Sequence, residues 1–295
     1  METDRYRKAV AESRVNTDRD VVKGKVEKIC ENAVALASED VYRFLFSIID
    51  LTTLSTEDSQ ESVAAFTRRV NDFDEEYPQY PSVASICVYS NFAETVRSSL
   101  DVTGVNVDVV AGGFPSGQTF TEIKVADAAL AVASGADEVD VVMNLGYLRD
   151  GSYEELCDEL VEIKHAAKGA IVKVILETGA LHSLDEVKAA SVLAMWSDAD
   201  FIKTSTGKIY PGASMESAYV MCSCIKEYYE KTGRKVGFKA AGGIRNAEDA
   251  LKYYALVKEV LGDEWLDRDH FRIGASGLAN SLLAAIAGQD EVRYF

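Results

Sequence analysis

The stretch Asp200-Phe-Ile-Lys-Thr-Ser-Thr-Gly207 is a short apolar run that ends in a glycine, and an amphipathic segment follows it at 214–232. Seven further runs of similar form occur along the chain. The eight predicted strands are 44–50, 82–89, 105–113, 138–144, 171–178, 201–206, 235–241 and 271–276. Helical patterns between them include 120–134, 152–168, 184–195 and 247–261. Strands that alternate with helices indicate βαβ units and a parallel sheet.

The number and spacing of these units distinguish two kinds of α/β fold. Eight strands spaced roughly 25–40 residues apart favour a (β/α)8 TIM barrel over an open, doubly wound sheet. The GxGxxG fingerprint of a dinucleotide-binding sheet is missing after the first predicted strand, where Leu51-Thr-Thr-Leu54 stands instead. We therefore predict an α/β chain with a TIM barrel at 41–295. A charged N-terminal helical extension at 1–40, with a helix at 21–36, is expected to cover the bottom of the barrel.

Composition limits the partners. The 295 residues are 47% hydrophobic, so the chain can form one large domain with a substantial core or two small ones, and its formal net charge is −17. No cluster of lysines and arginines is long enough to form a basic patch. Because nucleic acid and anionic membrane surfaces are themselves negative, we predict that neither is a partner. An anionic ligand has to be held by a local site.

The cysteines and the start of the chain predict the compartment. Five cysteines without metal-ligand or thioredoxin spacing indicate free thiols in a reducing compartment. They are Cys30, Cys87, Cys157, Cys222 and Cys224. The start, Met1-Glu-Thr-Asp-Arg-Tyr-Arg-Lys8, lacks the apolar core of a signal peptide, and no stretch approaches about 18 consecutive apolar residues. We predict a cytoplasmic protein.

Two lysines stand inside predicted strands, Lys203 in the stretch quoted first and Lys239 in Val236-Gly-Phe-Lys-Ala-Ala-Gly-Gly243. Lysine is rarely fully buried alone, because burial disfavours the ammonium ion and a second cation nearby disfavours it further. An ordinary lysine, with a pKa of about 10.4, is neutral in roughly one molecule in 2,500 at pH 7. A lowered pKa makes the amine a nucleophile towards carbonyl carbon, so the pattern predicts Schiff-base chemistry.

Further charges belong to the predicted barrel interior. Because side chains alternate along a strand, Asp140 points inward if Val139 and Val141 pack on helices. Asp50 ends the first predicted strand, and Lys173 lies in the fifth. We expect two carboxylates and up to three lysines to share one cavity, paired so that one amine stays free, with Asp140 moving protons. The alternative is a purely structural ion-pair network, although buried ion pairs seldom stabilise a fold more than apolar packing does.

Three predicted strands end in glycine-bearing turns that lead into helices: Thr206-Gly-Lys208, Ala241-Gly-Gly-Ile-Arg245 and Gly274-Ala-Ser-Gly277. In a (β/α)8 barrel, catalytic groups lie at the C-terminal ends of the strands, and phosphate often binds after strands seven and eight. Glycines let the backbone approach a ligand, and helix N-termini supply N–H donors. We predict a phosphate site with Lys208 as a charge and Ser276 as a hydroxyl donor. For any one such turn, a plain helix start is the alternative.

Other catalytic schemes have little support in the sequence. The three histidines, His165, His182 and His270, stand at no predicted strand end, and no HExxH, GxSxG or paired-cysteine metal motif occurs. We therefore predict no metal. Cys87, on the second predicted strand, faces either the cavity or the core, and core packing is the commoner role of a buried cysteine.

At these residues the chain resembles the deoxyribose-phosphate aldolases, which are class I aldolases with a (β/α)8 fold. The resemblance runs in the family's order from about residue 44 to 280. The matching stretches are Ile49-Asp-Leu-Thr-Thr-Leu54, Ile86-Cys-Val-Tyr89, Ala111-Gly-Gly-Phe-Pro-Ser-Gly117, Glu138-Val-Asp-Val-Val142, Val172-Lys-Val-Ile-Leu-Glu-Thr-Gly179, Asp200-Phe-Ile-Lys-Thr-Ser-Thr-Gly-Lys208, Gly237-Phe-Lys-Ala-Ala-Gly-Gly-Ile-Arg245 and Phe271-Arg-Ile-Gly-Ala-Ser276.

The resemblance implies reversible cleavage of 2-deoxy-D-ribose 5-phosphate to acetaldehyde and D-glyceraldehyde 3-phosphate in deoxyribose catabolism. It implies no metal or organic cofactor, and it makes a homodimer the expected assembly. It makes Lys203 the Schiff-base lysine, Lys239 the neighbour that lowers its pKa, and Asp140 the partner in proton relay. The other residues predicted to bind substrate or its phosphate are Asp50, Thr52, Cys87, Lys173, Thr204, Gly207, Lys208, Gly242, Gly243, Gly274 and Ser276.

Three positions depart from the family pattern. Ala240 stands where proline is usual, which is expected to loosen the turn after strand seven. Gly277 replaces a usual serine or threonine, so one hydroxyl donor to phosphate is missing. Tyr294 is penultimate, whereas in some members a terminal tyrosine assists proton transfer.

Two other functions stay open from sequence alone. One is a non-catalytic barrel that binds a sugar phosphate as a sensor or scaffold, which the three departures and the charged N-terminal segment favour. The other is a related lysine aldolase that acts on a different pair of aldehydes.

Overall fold

The computed structural model describes residues 5–295. Its strands are β1 Ile49–Thr52, β2 Ser85–Tyr89, β3 Asn106–Ala111, β4 Glu138–Val142, β5 Ile171–Ile175, β6 Phe201–Lys203, β7 Gly237–Ala241 and β8 Phe271–Ala275. Its α-helices are α1 Arg5–Glu12, α2 Arg19–Ala33, α3 Glu39–Ser47, α4 Gln60–Glu76, α5 Ala93–Ser99, α6 Thr121–Ala133, α7 Leu145–Asp150, α8 Tyr153–Ala166, α9 Leu184–Trp196, α10 Met215–Thr232, α11 Ala247–Val260 and α12 Leu278–Ala287.

The eight strands form one closed barrel in which each strand pairs in parallel with the next in sequence, and β8 pairs with β1. Helices lie between successive strands, so the predicted (β/α)8 TIM barrel is confirmed. In this fold the C-terminal ends of all eight strands meet at one face. The pairing of β6 with β7 places Lys203 directly beside Lys239.

The first predicted strand, 44–50, is wrong over most of its length. Residues up to Ser47 belong to α3, and β1 begins only at Ile49. The Ser38 side chain accepts a hydrogen bond from the Val41 N–H at 3.3 Å, and Glu39 and Asp40 occupy the first turn. A cap followed by acidic residues starts a helix, whereas the apolar run at 44–49 fits a helix or a strand equally well.

The helices before the barrel pack on its outer side. Of the extension predicted at 1–40, residues 1–4 lie outside the described part of the chain. Helix α1 contacts α8 and α9, and α2 contacts α10 and α11. The apolar residues Val22, Val26 and Ile29 are buried along the contact face of α2. The expectation that these helices cover the bottom of the barrel is therefore wrong, because they form a second layer over the helix ring.

Two features bear on the predicted compartment and on membranes. All five cysteines are free thiols. Among residues 5–295, no helix is both long enough and apolar enough to cross a bilayer.

Candidate active site

A layer of four charged side chains crosses the middle of the barrel. Asp50, Asp108, Lys173 and Lys239 come from the odd-numbered strands β1, β3, β5 and β7, and all four are fully buried. Alternate strands supply each interior layer of a (β/α)8 barrel, so these four residues form one layer. Where most barrels place branched aliphatic residues, this chain places two acids and two bases.

Within this layer each lysine contacts both aspartates. The Lys239 Nζ lies 2.5 Å from Asp50 Oδ2 and 2.9 Å from Asp108 Oδ2. The Lys173 Nζ lies 2.9 Å from Asp108 Oδ1 and 3.5 Å from Asp50 Oδ2. The layer is therefore neutral when all four groups are ionised.

The layer below closes the base of the charged interior. On β8 the Arg272 guanidinium donates to Asp50 at 2.6 Å and to Glu138 at 2.9 and 3.3 Å. Glu138 also accepts from the Asn106 amide at 2.6 Å and from Lys173 at 2.5 Å. Every carboxylate oxygen in this layer therefore faces a nitrogen donor, which buried charges require.

The layer above holds Asp140 and Lys203, each two residues further along its strand than Glu138 and Phe201. Asp140 contacts all three lysines, at 2.9 Å from Lys173, 2.7 Å from Lys239 and 2.6 Å from Lys203. Among the described residues, Asp140 is the only carboxylate that forms an ion pair with Lys203. Lys203 is therefore the lysine of this cluster that contacts the fewest carboxylates.

The carboxylates keep the two middle-layer lysines charged. Burial by itself lowers the pKa of Lys239, but the surrounding carboxylates, Asp108 and Asp140 foremost, raise that pKa well above its ordinary value. The same balance of burial against carboxylates raises the pKa of Lys173. Both residues are therefore ammonium ions at neutral pH and act as fixed positive charges.

The acids divide into two kinds. Burial raises the pKa of a carboxyl, but the lysine cations outweigh burial at Asp140 and hold its pKa well below the ordinary value. The cations near Asp50, Lys239 foremost, likewise lower the pKa of that carboxyl. At Asp108 burial prevails, and together with the Asp140 charge it raises the pKa to about 6. Asp108 is thus the acid of the cluster that gains a proton closest to neutral pH.

A cavity of about 270 Å³ opens above these layers, at the C-terminal ends of β1, β6, β7 and β8. Lys203 reaches its floor with 4% of its surface exposed, whereas Lys239 beside it is fully buried. A larger groove, of about 850 Å³, lies on the outer surface between α2, α10 and α11 and contains none of the interior charges. The smaller cavity is therefore the candidate active site.

Glycine turns form part of the wall of this cavity. Gly207, Gly242 and Gly243 have φ angles of 73°, 85° and 86°, in the left-handed region that glycine adopts without strain. The N-terminus of α12 also faces the cavity through Gly277. The Lys208 ammonium donates to the Leu54 carbonyl, which joins the loops after β6 and β1. Backbone N–H groups, a helix N-terminus and an ammonium together suit a phosphate group.

In the structure, some of the site residues predicted from sequence line the cavity and others are buried beneath it. The residues that line the cavity are Thr52, Lys203, Gly207, Lys208, Gly242, Gly243, Gly274 and Ser276. Asp140, Lys239, Asp50 and Lys173 belong to the buried charge layers beneath it, so Asp50 and Lys173 do not reach the cavity directly. Cys87 is also buried, beside Asp108 and Asp140, and burial raises its pKa well above the ordinary value.

Thr204 does not face the cavity. Its hydroxyl donates to the Ala241 carbonyl and accepts from the Ala241 N–H, both at 3.0 Å. The interpretation of Thr204 as a substrate-binding side chain is therefore corrected, because its polar atom is bound to the neighbouring strand.

Three members of the charge cluster were missed by sequence reasoning: Asp108, Glu138 and Arg272. Asp108 and Arg272 stand between apolar neighbours, in Val107-Asp-Val109 and Phe271-Arg-Ile273, whereas Glu138 follows Asp137 at the start of β4. A charge between apolar strand residues is the same signal that identified the two lysines. Applied to every strand, it would have found Asp108 and Arg272 but not Glu138.

Two of the three departures from the family pattern, Ala240 and Gly277, lie beside the cavity. Strand β7 continues unbroken through Ala240 to Ala241, so its end is not loosened. Gly277 has no neighbouring atom within 4 Å of the position of a Cβ, and no side chain caps α12 there. A hydroxyl donor is therefore missing at an open position beside the cavity.

Tyr294 packs among aromatic side chains and is not one of the residues that line the cavity. Its ring packs on Phe73 and Tyr77, with centroid distances of 5.2 and 5.7 Å, at the C-terminal end of α4. The side-chain amide oxygen Oδ1 of Asn280 accepts from the N–H groups of Tyr294 and Phe295 at 2.8 and 3.0 Å. In this position the Tyr294 hydroxyl is not part of the cavity that contains Lys203.

The carboxylates come close enough to one another to resemble a metal site. One group is Cys87, Asp108 and Asp140, and the other is Asp50, Asp108 and Glu138. Lysine or arginine nitrogen atoms lie within 3 Å of each of these four carboxylates. Side-chain cations thus supply positive charge at the positions that a metal would need.

Comparison with known proteins identifies the family. The model of the DeoC/LacD family aldolases matches residues 45–278. Human deoxyribose-phosphate aldolase is 41% identical over 258 residues, which cover 84% of this chain and 81% of the human protein. The mouse deoxyribose-phosphate aldolase is 42% identical over 262 residues, with the same coverage of 84% and 81%.

A solved structure agrees with these relatives. The tetrameric deoxyribose phosphate aldolase of Aeropyrum pernix superposes with a TM-score of 0.68 at 26% identity, over 87% of this chain and 96% of that one. The family match spans the barrel and its charged interior. The chain therefore belongs to the DeoC/LacD family and is an aldolase, a carbon–carbon lyase.

Proposed function

We propose that this aldolase reversibly cleaves 2-deoxy-D-ribose 5-phosphate into acetaldehyde and D-glyceraldehyde 3-phosphate through a Schiff base on Lys203. The observation that carries the proposal is the position of Lys203. It is the lysine of the buried cluster that reaches the cavity, and it faces a wall of glycine turns suited to phosphate. The human and mouse relatives named above are deoxyribose-phosphate aldolases.

The charge layers support the choice of nucleophile. To react, a lysine must give up its proton and its ionic contacts. Lys203 gives up one contact, to Asp140, and that carboxylate keeps Lys173 and Lys239 as partners at 2.9 and 2.7 Å. Lys239 would have to leave three carboxylates. We propose that the fixed charge of Lys239 also disfavours the ammonium form of Lys203.

The bond changes are those of a retro-aldol reaction. The Lys203 amine adds to C1 of the open-chain aldehyde, and loss of water gives an iminium ion. A base takes the proton of the C3 hydroxyl, the C2–C3 bond breaks, and its electron pair moves towards the iminium nitrogen as D-glyceraldehyde 3-phosphate leaves. Protonation of the resulting enamine at C2 and hydrolysis release acetaldehyde and the free amine. Asp140, directly or through a water molecule, is the proposed proton carrier.

Trapping with borohydride tests the proposal. The enzyme is dialysed against a chelator, incubated with acetaldehyde and reduced, and the modified peptide is mapped by mass spectrometry. We expect one ethyl group on Lys203, and turnover of the phosphorylated sugar that exceeds turnover of 2-deoxyribose. The control is Lys203→Arg, which keeps the charge beside Asp140 and should lower kcat/KM by at least about 10⁴-fold.

The outcomes separate the competing functions. Ethylation of another lysine, or of none, would reject Lys203 as the nucleophile. Trapping at Lys203 without turnover of 2-deoxy-D-ribose 5-phosphate would indicate a lysine aldolase for other aldehydes. Loss of activity after chelation would reject the proposed independence of metal.

The proposal also includes the number of subunits and the cellular compartment of the protein. We propose a homodimer in the cytoplasm, where the five free thiols suit a reducing compartment. The Aeropyrum pernix relative is a tetramer, which is the alternative to a homodimer. Light scattering on the purified protein measures the mass that decides between them.

A further inference from the structure

The turn after β5 contains a strained, buried glutamate. Glu177 has φ and ψ angles of 50° and 56°, in the left-handed region, and only 2% of its surface is exposed. A residue with a Cβ rarely adopts this conformation, which costs free energy and persists only where the surroundings enforce it. The turn is therefore held by contacts that outweigh the local strain.

Those contacts are made with the loop that follows β6. The Glu177 carboxylate accepts from the Thr206 hydroxyl at 2.5 Å and from the Thr206 N–H at 3.2 Å. The Thr178 N–H donates to the Thr204 carbonyl at 2.8 Å. At Gly179 a Cβ would lie 2.2 Å from the Pro211 carbonyl oxygen, so the two segments touch backbone to backbone. The turn 177–179 thus supports the loop 204–211 along its length.

Thr206 connects the turn 177–179 to the wall of the cavity. Its hydroxyl oxygen also accepts from the Lys208 N–H at 3.2 Å, across Gly207. Thr206, Gly207 and Lys208 all line the cavity. The buried Glu177 carboxylate therefore orients the Thr206 hydroxyl, and that hydroxyl in turn fixes the Lys208 N–H in the turn at Gly207 and Lys208.

We propose that Glu177 is a positioning residue that sets the affinity of the cavity for the phosphate group of its substrate. The inference rests on the proposed function and deepens it. Without the carboxylate, the Thr206 hydroxyl loses its acceptor, and the loop at Gly207 and Lys208 loses the contact that fixes its conformation. The loop then has to be ordered by phosphate itself, which weakens binding.

Lys203 is held in a different way, which makes the effect selective. It lies on β6 in register with Lys239, and its carbonyl accepts from the Leu176 N–H at 2.9 Å. Strand pairing therefore fixes Lys203 without Glu177. We expect loss of Glu177 to act on phosphate binding and to leave Schiff-base formation with acetaldehyde unchanged.

The test compares Glu177→Ala with Glu177→Gln, which keeps the shape and can hydrogen-bond Thr206. For Glu177→Ala we expect KM for 2-deoxy-D-ribose 5-phosphate to rise roughly 10- to 100-fold with little change in kcat, and kcat/KM for 2-deoxyribose to change less than about 3-fold. Glu177→Gln should restore most of the affinity. Glu186→Ala is the matched control, because Glu186 accepts from the His182 N–H at 2.8 Å on an exposed segment.

A second variant and a second readout keep the outcome decisive. Glu177→Gly removes the carboxylate and also the left-handed strain, so it tests the same contact if Glu177→Ala folds poorly. Calorimetric titration with inorganic phosphate measures binding without turnover, and both variants should bind more weakly than the wild type by the same factor as in KM. If phosphate binding depends on Glu177 while the wild type fails to cleave the sugar phosphate, the proposed function fails and the inference stands.

Three results would overturn the inference. They are equal losses on phosphorylated and unphosphorylated sugars, unchanged phosphate affinity in the Ala and Gly variants, and no phosphate binding by the wild type.

Discussion

Lys203 and Lys239 are neighbours in register on β6 and β7, yet they belong to different regions of the barrel. Lys239 lies in the sealed middle layer, fully buried, with its ammonium within 3 Å of three carboxylates. Lys203 lies at the floor of an open cavity with one carboxylate, which it shares. Burial disfavours the ammonium form of any lysine, so burial does not distinguish Lys203 from Lys239. The difference between them is the number of carboxylates that contact each ammonium group.

This contrast explains why the cluster is so large. A single buried ion pair would leave Lys203 with either one dedicated partner or none. A network of four carboxylates and four cations can hold the other three cations ionised and leave Lys203 at its edge. Such a network stabilises the fold little compared with apolar packing, which favours a functional reason for it.

The largest effect is expected from Lys239→Met, which removes a cation from the sealed layer. Three carboxylates then lose a partner, and breaking a buried pair of this kind costs about 3–5 kcal/mol of unfolding free energy. Borohydride trapping of acetaldehyde at Lys203 should also require a higher pH, because fewer cations oppose its ammonium form. Urea unfolding and trapping between pH 6 and 10 measure the two effects.

Lys124→Met is the matched control. Lys124 is equally buried and lies 2.6 Å from Glu159, but it joins α6 to α8 outside the barrel. It should lose comparable stability with no change in the pH of trapping. If Lys239→Met and Lys124→Met raise the pH required for trapping by the same amount, the distinction between the sealed layer around Lys239 and the cavity floor at Lys203 is wrong.

A smaller effect, with a definite sign, is expected from Asp108→Asn. The folded pKa of Asp108 is about 6, above the value of about 3.9 for an unfolded chain. Between these values the unfolded chain loses its proton first, so this group lowers the stability of the wild type as pH rises from 4 to 6. From pH 4 to pH 7, the unfolding free energy of Asp108→Asn should therefore rise by about 2 kcal/mol relative to the wild type.

Urea unfolding at several pH values checks this difference. Asp50 and Asp140, whose pKa values are lowered, lose their stabilising charge only as the pH falls below about 4, and this occurs in both proteins. Asp40→Asn, on the exposed first turn of α3, is the control for replacing an exposed carboxyl by an amide. A difference between Asp108→Asn and the wild type that does not change with pH would mean that the Asp108 carboxyl does not titrate as described.

The smallest effect is expected from Thr204→Val, next to Lys203. Valine keeps the shape but leaves the Ala241 N–H and carbonyl without their hydroxyl partner, which should cost about 2 kcal/mol of unfolding free energy. Because this hydroxyl does not face the cavity, KM and kcat should each change less than about 2-fold. A large rise in KM would instead restore the sequence-based interpretation of Thr204 as a substrate contact.

The barrel itself could be predicted from sequence because its signals are local. Short apolar runs, glycine ends and alternating helices identify the strands, and the alternation of side chains places Asp140 inside. Boundaries are less certain, since the apolar run 44–49 matches two periodicities and only the Ser38 cap assigns it to α3. The missed cap is a signal present in the sequence.

Parts of the site depend on contacts between residues that are distant in sequence, which no local sequence pattern reveals. Thr204 binds the backbone of a strand that follows it by more than 30 residues. Glu177 adopts a left-handed conformation that its residue type disfavours, so only the packing of its turn on the next loop predicts it. The packing of α1 and α2 on α8–α11 likewise joins distant parts of the chain.

That packing has a consequence for how the protein is made. Helices α1 and α2 are synthesised before the barrel, and their partners α9 and α11 follow them by more than 150 residues. On the ribosome the apolar residues Val22, Val26 and Ile29 must stay unpaired, or be sheltered by a chaperone, until most of the barrel has emerged. Helices α1 and α2 are thus among the last elements to reach their native positions.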